Sequence, residues 1–67
     1  MTFDQEMVEM IRETLRRAQP TDILDTLDLA NAIVAAFERR GEKRAVNDVR
    51  ALIRLEAAAM GISVKDR

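Results

Sequence analysis

The densest concentration of side chains able to bind something is Arg39, Arg40, Lys43, Arg44, Asn47, Arg50 and Arg54. Lys43, Asn47, Arg50 and Arg54 follow steps of four, three and four, so they share one face of a helix that starts near Lys43. Arg and Lys bind phosphate through charge, and Arg and Asn can read base edges in a major groove. A helix, a Gly-containing turn and a second helix is also the outline of a helix-turn-helix. Against this, Glu38, Glu42 and Asp48 interrupt the basic stretch, and no aromatic is interleaved with it for base stacking. The leading reading is a solvated amphipathic face. Nucleic acid and an acidic protein partner are the alternatives.

The carboxylates are less concentrated. Asp22, Asp25 and Asp28 step by three and drift around a helix, while Glu6, Glu9 and Glu13 come closer to sharing a face. No calcium-loop spacing is present. Most of these acids lie early in predicted helices, where they complement the dipole. Glu56 is the exception, because it falls among Val49, Leu52, Ile53 and Met60 on an apolar side. A charge there must be paired or reach water. It either sits partly exposed near the helix end or pairs with an Arg of the first helix or of a second copy. Met7, Met10 and Met60 read as gap-fillers of a core.

Chemistry beyond charge has little material. The chain has no His, Cys, Tyr or Trp. A hydrolytic nucleophile would have to be Ser63 or a threonine without a His base. No enzyme activity, cofactor, metal site or small-molecule substrate is expected.

The elements that position these residues follow from apolar spacing. Phe3, Met7, Met10, Ile11, Leu15 and Ala18 predict a first helix over 3–18, capped by Thr2 with Gln5 reaching back. Pro20 ends it. Thr21 or Asp22 starts a second helix over 22–40, and Gly41 follows it as a left-handed C-terminal residue. Ile23, Leu27, Ala30, Val34 and Phe37 form one stripe of that helix, and Leu29, Ile33 and Ala36 form another beside it. Together they cover about half the circumference, which predicts a continuous central rod touching two neighbours. Val46, Val49, Leu52, Ile53, Ala57 and Met60 mark a third helix over 43–60. Its start is either Lys43 or an Asn47 cap. Gly61 and Ile62 fit a Schellman ending, leaving 62–67 as a short tail with Val64 against the bundle.

Sixty-seven residues make one domain with a small core. No cysteine is available for a disulfide, so tight packing or oligomerisation must supply the remaining stability. Residues 1–28 carry seven acids and three bases, and 29–67 carry five acids and eight bases, so the halves differ in sign around a net charge of −1. No apolar run reaches the ~20 residues of a membrane span, and the start lacks a signal-peptide pattern. The expected protein is all-α and cytoplasmic: a small antiparallel three-helix bundle, with homodimerisation as a way to complete its core. The expected function is protein interaction by helix-face docking, using the apolar surplus Leu24, Leu29, Ile33, Ala36 and Leu55 together with Glu56. A small dimeric nucleic-acid-binding regulator using the basic face is the alternative.

Overall fold

The computed structural model describes residues 4–18 and 24–66. Three helices dominate it: α1 (Gln5–Arg17), α2 (Thr26–Glu38) and α3 (Val46–Met60). Two short strands, β1 (Leu24–Asp25) and β2 (Val64–Lys65), add a feature the apolar spacing does not announce. They pair in parallel, with Leu24 opposite Val64 and Asp25 opposite Lys65. The residue run 62–66 is therefore a docked segment, with Ile62 and Val64 packed against the core.

Helix starts move from their predicted places. Asp4 is the N-cap of α1, and its carboxylate accepts from the Met7 amide at 3.1 Å. Gln5 becomes the first helical residue and donates to Glu9 instead of reaching back to a cap. The Thr2 cap, Phe3, Pro20, Thr21, Asp22 and Ile23 lie outside the described residues. Asp25 caps α2, accepting from the amides of Leu27 and Asp28. The predicted rod over 22–40 is thus shortened, because Leu24 and Asp25 are held extended against the C-terminal segment. Helix α3 begins at Val46, with Ala45 as an N-cap that lends no side-chain bond. Neither Lys43 nor Asn47 starts it: Lys43 lies in the connection, and Asn47 is already helical.

Helix ends follow the glycines. Gly41 has φ +79°, and the Glu42 amide reaches back to the Phe37 carbonyl at 3.0 Å. Gly61 has φ +71°, and the Ile62 amide reaches the Ala57 carbonyl at 2.8 Å. Both turns are Schellman-type endings that need the left-handed conformation.

The core joins Met7, Ile11 and Leu15 of α1, Ala30, Ile33, Val34 and Phe37 of α2, and Val49, Ile53 and Ala57 of α3. Val8, which only borders the predicted stripe, is also buried. The principal helix contacts are α2 with α3 and α1 with α3. The central element is therefore α3 and not α2. Helix α2 covers its wide apolar side by burying Ile33 along with Ala30, Val34 and Phe37 of the first stripe, leaving Leu27, Leu29 and Ala36 half-buried. Among the described residues, no buried side-chain nitrogen or oxygen lacks a hydrogen bond, as a small core requires. No helix among them is long and apolar enough to cross a membrane.

Candidate functional site

Among the described residues, three ion-paired joints tie separate elements together, and Arg17 pairs with Glu13 within α1. At the first joint, Arg44 Nε donates to Asp4 Oδ2 at 2.8 Å, and Arg40 pairs with Glu6. Both guanidiniums lie over the Phe37 ring, at 5.3 Å for Arg40 and 4.9 Å for Arg44 from its centroid. The Arg side chains thereby help cover a ring that is fully buried. Hydrogen bonding from Arg44, with help from the Met7 amide, holds the Asp4 carboxyl below its usual range. The acidic start of the chain thus pairs with the basic connection between α2 and α3, so part of the charge asymmetry between the halves is used internally.

At the second joint, Arg12 Nε donates to Glu56 Oε2 at 2.8 Å and Arg12 Nη2 to Oε1 at 3.4 Å. The isolated acid on the apolar side of α3 is paired with an Arg of the first helix. At the third joint, Asp66 meets Arg50, Arg54 and Thr26. Thr26 is fully buried at the start of α2. Hydrogen bonds from Arg54, Thr26 and Arg50 hold the Asp66 carboxyl far below the usual carboxylate range.

The predicted basic face therefore divides. Arg40 and Arg44 belong to the Phe37 joint, and Arg50 and Arg54 to the Asp66 joint. Arg39, Lys43 and Asn47 are exposed, but Lys43 is not on the helix that carries Asn47, Arg50 and Arg54.

The predicted apolar contact set also divides. Ile33 is in the core, and Leu24, Leu29 and Ala36 are half-buried. Glu56 is engaged by Arg12. Leu55 stands apart: at 67 % exposure it is the exposed large hydrophobic among the described residues. It lies on a groove of about 500 Å³ between α1 and α3, walled by Met7, Val8, Val49, Ala51 and Leu52, with Asp4, Arg44 and Asp48 also lining it. Of the six predicted contact residues, only Leu55 lines this groove.

Sequence reasoning missed Ala51 as a wall, and missed Thr26 and Asp66 entirely. The available signal was the i,i+4 pair Arg50 and Arg54 facing an unassigned acid in the tail. Among the described residues, no group of three or more His, Cys, Asp or Glu side chains is arranged to hold a metal. No protein-family model, curated protein or solved structure matches this chain.

Proposed function

We propose that this chain is a protein-interaction module that docks through the α1–α3 groove and performs no chemistry, and that the occupant is a second copy. The observation that carries this reading is Leu55, exposed beside an apolar groove while Ile33 is in the core and Leu24, Leu29 and Ala36 are half-buried.

Several features favour a second copy as the occupant. Asp4 and Arg44 at the groove are already paired with each other, which leaves Asp48 as the remaining charge on a mostly apolar lining. Ala51, Leu55, Ala58 and Ala59 are exposed on α3, and small residues permit close approach of another helix. A two-fold contact would set each Leu55 against the partner's groove. Such a contact lies at the small, weak end of the interface range, because a standard patch of about 800 Å² would take about one-sixth of the chain's 4748 Å² surface. An up-down-up antiparallel arrangement of the helices and a cytoplasmic setting belong to the same proposal.

Nucleic-acid binding has less support. Four of the five arginines it would use, Arg40, Arg44, Arg50 and Arg54, are engaged by Glu6, Asp4 and Asp66 within the chain.

Sedimentation from about 10 μM to about 1 mM, a range that brackets weak association, tests the dimer. The expected result is a mass rising toward two copies for the natural chain and staying at one copy for Leu55→Arg, with unchanged helix content. A single copy at every concentration of the natural chain overturns the proposal.

A further inference from the structure

Four hydrogen bonds converge on the Asp66 carboxylate, and they are distributed unevenly. Oδ1 accepts from Thr26 Oγ1 at 2.7 Å, Arg50 Nη2 at 2.9 Å and Arg54 Nη2 at 2.8 Å. Among the described residues, Oδ2 accepts only from Arg54 Nε, at 2.5 Å. A carboxylate oxygen offers two lone pairs, so three donors crowd one oxygen while the other serves one. The donors belong to the folded body. Thr26 is the buried first residue of α2, Arg50 Nε also reaches its hydroxyl at 3.4 Å, and Arg54 lies one turn further along α3. The acid belongs to the segment that follows the left-handed Gly61 and is joined to the body by a two-residue strand pair.

We propose that Thr26, Arg50 and Arg54 form a phosphate site, which Asp66 fills as a tethered stand-in. A terminal phosphate, free or as a monoester, presents three or more oxygens on a tetrahedral centre. It can separate the donors that a single carboxylate oxygen must share. The Arg54 fork engages phosphate as it engages carboxylate, through two parallel bonds. A diester offers only two free oxygens and fits this donor set less well. Asp25 adjoins Thr26, and its Oδ1 accepts from the Leu27 and Asp28 amides as the α2 cap. This site is separate from the α1–α3 groove and does not depend on dimerisation.

A short flexible tether holds its end group at a millimolar effective concentration, and the docking of residues 62–66 raises that figure. The intact chain should therefore respond to phosphate only in that range or above. Asp66→Asn removes the Asp66 charge while keeping the segment's length and shape.

The test follows the amide signals of Thr26 and Arg50 and the Arg Nε signals by NMR, while inorganic phosphate replaces chloride at constant ionic strength. Asp66→Asn should saturate at an about tenfold lower phosphate concentration than the natural chain. Phenyl phosphate should match inorganic phosphate, dimethyl phosphate should bind more weakly, and Arg54→Gln added to Asp66→Asn should abolish the response. A response in Asp66→Asn no larger than that to chloride, or one that survives Arg54→Gln, overturns the site. Dimethyl phosphate binding as well as the monoester overturns the choice of ligand. Should Asp66→Asn lose its helical signal, the natural chain is followed at residues 64–66. Phosphate at about 100 mM, above the millimolar range of a flexible tether, should shift those amides, and no shift beyond the chloride control overturns the site.

Discussion

Ile53 and Leu55 are two residues apart on α3, yet their side chains meet opposite environments. Ile53 is fully enclosed by the core, and Leu55 is two-thirds exposed. Ile53→Ala should cost ~2–5 kcal/mol, the range for deleting a buried branched side chain, and Ile53→Val only ~0.5–1.5 kcal/mol. Leu55→Ala should stay within about 0.5 kcal/mol in a single copy. Urea unfolding of dilute protein measures all three, and a Leu55→Ala cost comparable to Ile53→Ala would mean that Leu55 is covered even when dilute. The periodic core was legible in the sequence because Val49, Ile53 and Ala57 repeat at four-residue steps. Thr26 and Asp66 were not, because a contact across 40 residues leaves no periodic trace. Glu56 lay between these cases: its position demanded a partner, but only the fold could select Arg12.

At the scale of elements, the glycine endings were readable and the helix starts were not. Gly41 and Gly61 adopt the left-handed conformation that their places after apolar runs suggested. The sequence offers Thr21 or Asp22 as the start of α2, and pairing with the C-terminal segment makes Asp25 the cap by holding Leu24 and Asp25 extended. The start of α3 is displaced for a related reason: Arg44 is drawn to Asp4 and Phe37, and the chain turns helical only beyond it. Asp25→Ala should cost ~0.5–2 kcal/mol through the lost cap, with Asn at the same position recovering most of it. Gly61→Ala should cost ~1–2 kcal/mol from backbone conformation alone, since an added Cβ meets nothing within 4 Å. Thermal unfolding followed by circular dichroism would check both. Equal stability of Asp25→Ala and Asp25→Asn would remove the capping argument.

For the whole molecule, the joints make acid the condition that loosens the fold. Asp4 ties the start of α1 to the α2–α3 connection, and Asp66 ties the C-terminal segment to α2 and α3. Both carboxyls are held below the ordinary value of 3.8 by their Arg and hydrogen-bond partners. In the window below 3.8 the unfolded chain therefore binds more protons than the folded one, so stability rises with pH there. Above that value the contribution is fully present, and it is lost as pH falls through the folded-state values. With no histidine in the chain, no side chain of ordinary pKa titrates between pH 6 and 8. The melting temperature should be nearly flat from neutral pH to about pH 5 and then drop toward pH 2. In Asp66→Asn the drop should be shallower, because a group held below its ordinary value no longer titrates. The variant should also start lower at pH 7, where the natural carboxylate is ionised and held by both arginines. Melting curves at successive pH values for the two proteins decide this, and parallel profiles would show that the Asp66 joint contributes nothing to acid sensitivity.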